Sequence, residues 1–553
     1  MARASAKKKV SGSRQKLAQY LRRGHKYMAA GDAENAAKYI VAAWNMDPEN
    51  FDLLVAVADV LSKVGVRAKA LEVLEKALAI HGPKPEVLLV MGNLALELDM
   101  PAVMERVYRI YISIRPDDPQ GYNNLASALE RQDKLDEVIS FLQDILPMFP
   151  EHAALWNTLG SAVSKRDGYE ASMPFYAEAY RLDPNSYNIL NNISLVYEHT
   201  GDFAKAIEFG EKAITVNPDG YYAHLGLAKS LLAVGELERG WRHYEWRQDP
   251  RRAGSVLYTH KIPRWDGRSL EGKRLLVGPE QGVGDEVLFA LTYPMLLAEG
   301  AQLDIGCDRR LVSLYERSFR GARVGAYVDS FRDGYRYRSM PALQKDPADL
   351  FIECGSIPQF RIRKVEDFPD CNDGFLIPDP ERVRKWRARL GALGSKPKIG
   401  IHWRSGLRTA ARNKHYAPIE VWAPIFARFG DKVDFINLQY GDCAEELALV
   451  RDKFGTTIRT WEGVDLKNDL ETVMALSSVV DLVIGPATAP GNFSFAVGTP
   501  TWWLLPVRPW WSCGEDERPP FFSKGRMLIG NVDNPWPGIM SRLEAMLGEF
   551  VAG

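Results

Sequence analysis

The sequence predicts a multidomain protein: an all-α repeat solenoid over residues 17–250, then an α/β half built of two facing strand-and-helix lobes. Three observations carry this. Proline recurs on a 34-residue register through the first half. Apolar runs of strand length alternate with helical stretches through the second. One of those runs, Leu275-Leu276-Val277, enters a turn holding Gly278, Gly282 and Gly284 before an acidic pair, Asp285 and Glu286, opens a helix.

At 553 residues the chain is too long for one ordinary core. Its 70 basic and 71 acidic residues leave a net charge of −1, which asks for neither nucleic acid nor an anionic membrane as the bulk partner. No apolar run reaches membrane-spanning length, and the basic start (Lys7, Lys8, Lys9) lacks the apolar segment of a signal peptide. A cytoplasmic protein is expected, with residues 1–16 a disordered basic tail. The five cysteines are widely spaced and form neither a disulfide framework nor a zinc pattern, so reduced, structural thiols are expected.

Residues 17–250 carry the repeat. Pro48, Pro116, Pro150, Pro184 and Pro218 share one register, and small residues recur twenty-four positions before each mark: Gly24, Ala58, Gly92, Ala126, Gly160 and Ser194. Small residues let two helices of a hairpin close, and proline stops the second. The pattern strongly resembles tetratricopeptide repeats, about six to seven units whose stacking implies a solenoid with a concave groove. Asn123, Asn157 and Asn191 fall thirty-four apart on it. A side-chain amide pairs with both N–H and C=O of an extended peptide, so the three are candidate acceptor-binding residues; asparagine beside the small position is also common in such repeats for packing, and both readings stay open. The repeat array of nucleocytoplasmic O-GlcNAc transferases has a similar ladder.

Residues 251–272 read as a linker. Around it, Gly240, Trp241, Tyr244, Glu245, Trp246 and Arg247, then Pro263, Trp265, Asp266 and Gly267, then Glu280, Gln281, Gly282, Gly284 and Asp285 closely resemble bacterial tetratricopeptide–glycosyltransferase fusions. Their catalytic half is similar to lipopolysaccharide heptosyltransferases. The first lobe, 273–393, holds strand-like Arg274–Val277, Gln302–Gly306 and Leu350–Glu353; the second, 394–553, follows a Gly394–Pro397 hinge and ends in a helix expected to pack back on the first lobe. Two Rossmann-like lobes facing across a cleft are the GT-B arrangement, which the resemblance also implies.

Glycosyl transfer needs a base for the acceptor hydroxyl and positive charge or N–H dipoles for the leaving phosphate. Gly284-Asp285-Glu286-Val287 matches the segment whose aspartate is the proposed base of heptosyltransferases; a helix cap is the alternative for Asp285. Gly282 and Gly284 let backbone approach a ligand. Candidate donor-binding cations are Arg404, at the end of a strand, with Arg408, Arg412 and Lys414 after it; Lys414-His415-Tyr416 resembles the family's Lys-His-Trp. Gln439, Tyr440 and Glu445 resemble the loop beside the donor base. Thr488 and Ala489 match the family's Asp-Thr-Ala-x-x-His segment, whose aspartate is Ala487 here and whose histidine is Asn492. Losing that carboxylate suits a more anionic donor, such as a CMP-linked nonulosonic acid. No metal-ligand cluster or DxD motif is present in the second half, so metal-independent transfer with no cofactor beyond the nucleotide sugar is expected. Tryptophans 502, 503, 510 and 511 read mostly as core, with stacking on a sugar beside the cleft as the alternative.

The resemblance implies a protein O-glycosyltransferase whose repeats hold the acceptor, flagellin being the acceptor of alphaproteobacterial members. Two alternatives are a heptosyl- or hexosyltransferase of polysaccharide synthesis, and a repeat scaffold with an inactive transferase half, for which Ala487 and Asn492 speak.

Overall fold

The computed structural model describes residues 2–252, 254–332, 335–406, 415–530 and 534–552. Two compact units result, one ending at Pro184 and one beginning at Asn185.

The first unit is all helix among its described residues, with helices from Ala2–Ala29 to Tyr169–Leu182 packed as successive hairpins. Its small-residue register has a direct cause. A Cβ on Gly92 would lie 2.2 Å from Tyr108 Oη, and one on Gly160 would lie 2.8 Å from Tyr176 Cε1. Both tyrosines are buried, so each glycine is what lets the next helix lay a ring on its backbone. Asp32, Asn50 and Asp118 cap helix starts, accepting from the N–H groups of Asn35, Leu53 and Gln120. Helix Ala2–Ala29 includes the stretch expected to be a disordered tail: it is rich in alanine, lysine and arginine, all good helix formers, and no proline interrupts it.

The second unit opens with four helices, Tyr187–Thr200, Phe203–Val216, Tyr221–Ala233 and Leu237–Tyr244. Its first lobe is built from β1 (Val256–Tyr258), β2 (Arg274–Gly278), β3 (Gln302–Cys307), β4 (Arg323–Ala326), β5 (Val328–Arg332), β6 (Tyr335–Ser339) and β7 (Leu350–Glu353). Four strands make a parallel sheet in the order β4-β3-β2-β7; β1, β6 and β5 make a small second sheet. The second lobe holds β8 (Lys398–Ile401), β9 (Asp434–Asn437), β10 (Ile458–Arg459), β11 (Leu482–Gly485), β12 (Thr501–Leu505) and β13 (Gly525–Ile529). All six are parallel, ordered β10-β9-β8-β11-β12-β13, the doubly wound 3-2-1-4-5-6 pattern.

Three boundaries differ from the sequence reading. Residues 251–272 are no spacer: β1 pairs with β6, and Trp265, buried, donates its N–H to Phe351 O at 2.8 Å. Helix Pro380–Gly391 packs through Trp386 and Leu390 on Ile436, Leu438 and Leu476, so it belongs to the second lobe. The closing helix Pro535–Ala552 presents Ile539, Leu543 and Leu547, one apolar stripe at four-residue spacing, to Phe426 and Leu504 of the second lobe, not to the first. One apolar cluster runs through Trp241, Leu275 and Val277 of the first lobe and Phe493, Phe495 and Trp503 of the second, which seats the two lobes on a shared core.

Candidate functional site

Open parallel sheets bind ligands where neighbouring strands send their connections opposite ways. Here those points lie between β2 and β7 and between β8 and β11. The turns that follow β2, β8, β9 and β11 meet in a cleft cavity of about 380 Å³ lined by Gly282, Gly284, Asp285, Tyr440, Thr488 and Asn492, with Lys467 at its wall. A second cavity of about 420 Å³ lies on the other side of the glycine turn, walled by helices Tyr187–Thr200 and Tyr221–Ala233. Asp285 lines both.

Asp285 stands in the first turn of helix Val283–Phe289, yet the N-cap is Gly282 and no side chain caps the helix. Among the described residues its carboxylate has no hydrogen-bond or ion-pair partner, so the capping alternative is not what the structure shows. Its side chain is exposed to the cavities, at the bottom of a depression walled by protein. Partial desolvation there, with the charge of Glu280, raises its carboxyl to about 6, against the partial offset of Arg247.

Buried charge fixes the turn that carries it. Arg247, from the short helix after Leu237–Tyr244, donates to Glu280 Oε1 from Nη2 at 2.6 Å and from Nε at 3.1 Å, and to Ser356 Oγ at 2.9 Å. Both side chains of the pair are buried. Burial opposes the charge on Arg247, but the carboxylates of Glu280 and Glu245 more than offset it. Arg338, fully buried, donates to Glu280 O at 2.9 Å, and Tyr258 donates to Pro279 O at 2.9 Å. Next to the turn, Glu286 accepts the Asp308 N–H at 2.9 Å on one oxygen while burial raises its carboxyl to about 8. It is therefore protonated in the fold at neutral pH and ionised in the unfolded chain. Stability falls as pH rises from the usual carboxylate range through about 8 and levels off above. Glu286→Gln is expected to flatten that slope in denaturant titrations at several pH values; an unchanged slope counts against it.

The second lobe uses several predicted donor residues as scaffold. Arg404 Nε donates to Glu446 Oε1 at 2.6 Å and Nη2 to Asp442 O at 2.6 Å, so its guanidinium is neutralised inside the lobe. Gln439 is buried; its oxygen accepts from the N–H of Trp403 and of Arg404, each at 3.0 Å, and its nitrogen donates to Tyr440 O. Asn492 Nδ2 donates to Gly284 O at 2.9 Å, a bond from the second lobe to the first, and Ala489 abuts Gly284 so closely that a Cβ there would sit 3.2 Å from it. Apart from the bond of Gln439 to its neighbour Tyr440, these contacts involve partners 35 or more positions away, which sequence spacing does not reveal. Thr488 Oγ1 pairs at 3.1 Å with Nδ1 of His402, which burial holds neutral. Tyr440 faces the cleft, and Glu445 lines an adjoining cavity with Arg404. Lys414, with Arg408 and Arg412, lies outside the described residues.

Of the asparagines, Asn123 accepts from Thr158 Oγ1 at 2.7 Å, a bond to the next hairpin that supports its packing role. Asn157 stands on helix Ala153–Arg166 of the same unit. Asn191 lines the second cavity with Asp285. Lys229 and Arg252, to which the sequence reading gave no role, line that cavity too, with Gln281 of the glycine-turn motif and Trp510. Trp510, assigned to the core, stands half-exposed there against Tyr244 and Phe289. A tetratricopeptide register that ran on into the transferase-like motif was the one available signal for helix residues at this site.

No described helix is long and apolar enough to cross a membrane. Residues 187–219 match the tetratricopeptide repeat family. Among solved structures, a tetratricopeptide repeat protein from Parabacteroides merdae aligns at TM-score 0.37 and 18% identity, covering 42% of this chain and 91% of its own. MamA aligns at TM-score 0.28 and 16% identity, covering 31% and 93%. Protein FlbA of Caulobacter vibrioides is 36% identical over 501 residues, covering 89% of this chain and 83% of that one. With the repeat match and an alignment that runs through both the helical and the α/β halves, the chain belongs to the FlbA family of tetratricopeptide-repeat proteins.

Proposed function

We propose that this chain is a metal-independent GT-B glycosyltransferase that moves a sugar from a nucleotide-activated donor to a serine or threonine hydroxyl of a protein held by its repeats. The supporting observation is the position of Asp285, whose carboxylate borders the cleft cavity on one side and the helix-walled cavity on the other. A donor in the cleft and a hydroxyl from the helical side meet at that group. Asp285 takes the hydroxyl proton, the oxygen attacks the anomeric carbon, and the sugar–phosphate bond breaks as the nucleotide leaves with the electron pair. A carboxylate near 6 is a stronger base than an ordinary one and still largely ionised at neutral pH. Transfer is expected to rise with pH through about 6 and then level off; a rate independent of pH from well below that value would remove Asp285 as the base.

The motif resemblance favours flagellin as acceptor and a CMP-linked nonulosonic acid as donor. Calorimetry with cytidine monophosphate, uridine diphosphate and adenosine diphosphate on the full chain separates the donors. Selective binding of the first supports this donor, and binding of a diphosphate redirects it to hexose or heptose. The inactive-scaffold reading has its own support in Ala487 and in the internal bonding of Arg404 and Asn492; binding of none of the three nucleotides would favour it.

A further inference from the structure

The helix-walled cavity holds two charges that the fold leaves uncompensated. Four other charged groups line it, and they are matched: Lys229 Nζ sits 3.1 Å from Glu198 Oε1, and Arg247 is bonded to Glu280. Asp285 is one that is unmatched, a carboxylate without a partner among the described residues. Arg252 is the other. Its guanidinium is half-buried and makes one weak bond, Nη1 to Arg247 O at 3.5 Å, with no carboxylate in reach among the described residues. Its remaining N–H donors face the cavity, where a ligand carboxylate can accept from them in place of water.

Between the two charges the walls are mixed. Leu195 and Tyr222 are exposed apolar surface, Leu225 and Trp510 adjoin them, and Asn191 and Gln281 offer amides. Asn191, Leu195 and Glu198 recur at helical spacing on one wall, as Tyr222, Gly226 and Lys229 do on the other, so each helix turns one continuous face inward. The volume, about 420 Å³, suits a short peptide stretch.

We propose that this cavity is the acceptor subsite and that Arg252 selects acceptor segments carrying an acidic side chain near the modified serine or threonine. The hydroxyl donates to Asp285, the acid accepts from Arg252, and an apolar residue rests on Leu195, Tyr222 and Trp510. A segment of that composition satisfies both unmatched charges together. A neutral segment leaves Arg252 unpaired, and a basic one is repelled by it. The inference rests on the reading of Asp285 as the base, and its test separates the two.

The test measures binding of short fluorescent serine peptides to the full-length chain, with aspartate, asparagine or lysine beside the serine, by anisotropy at low and high salt. Wild type is expected to bind the aspartate peptide about tenfold more tightly than the asparagine peptide, and the advantage shrinks with salt. Arg252→Gln removes the preference, Arg252→Glu transfers it to the lysine peptide, and Arg252→Lys retains most of it. Reversal by Arg252→Glu is a gain of binding that a misfolded variant does not give. Equal affinity of wild type for all three peptides, or an aspartate preference that survives Arg252→Glu, overturns the proposal. Charge-selective binding without sugar transfer upholds the subsite and sinks the transferase reading; transfer without charge selection does the reverse.

Discussion

Replacing Asp285 by asparagine is expected to lower sugar transfer by about a hundredfold to ten-thousandfold, the usual contribution of a positioned general base, while nucleotide affinity stays within about threefold. The side chain keeps its shape and loses the lone pair that takes the proton. Thermal stability should hold or rise, because the substitution removes a carboxylate that has no partner among the described residues and is repelled by Glu280. That combination distinguishes loss of a base from loss of fold. Turnover of Asp285→Asn near the wild-type rate, measured with labelled donor, would end the assignment. Lost nucleotide binding would instead make the residue part of the donor site.

Arg247→Met is expected to cost about 3–5 kcal/mol of stability, the usual consequence of stranding one member of a buried ion pair. Arg247 is 5% exposed and Glu280 6% exposed, so water at the cavity wall replaces the lost charge only in small part. Glu280 also accepts the Gly355 N–H at 3.1 Å, and its turn leads into Asp285, so activity should fall along with stability. The double variant Arg247→Met/Glu280→Gln should recover a large part of the stability, since both charges then leave together. Denaturant midpoints of the single and double variants check this. Equal loss in both would mean that packing of Arg247 against Tyr244, not its charge, is what matters.

The parts legible from sequence were those written in local patterns. Small residues at fixed spacing forecast the hairpin contacts that Gly92 and Gly160 make with buried tyrosines. Continuous apolar runs forecast β2, β3, β7, β8, β9, β11 and β12, because a parallel strand is buried on both faces. Three of the strands outside that set lack the signature. β5 and β6 are arginine-rich, with Phe331 exposed, and depend on the Asp329 bonds to Arg336 and Arg338; β10 has two residues. Among site residues, Asp285 stands out through the resemblance of Gly284-Asp285-Glu286-Val287 to the heptosyltransferase segment, since a glycine turn before an acidic helix start suggests by itself only a cap. Arg404, Gln439 and Asn492 were placed at the right strand ends, yet their hydrogen-bonding groups are largely engaged within the protein.

The sequence by itself therefore determined the repeat hairpins, the two parallel-sheet lobes and the turn that carries Asp285, since each follows from periodicity within a few tens of residues. Only the tertiary structure decided which polar groups are engaged and which are left over. Glu446 claims Arg404, Lys229 is matched with Glu198, and Arg247 with Glu280, while Asp285 and Arg252 face one cavity unmatched. The reason is that hydrogen bonds and ion pairs reach only a few ångströms, so their partners are set by which distant segments the fold brings together.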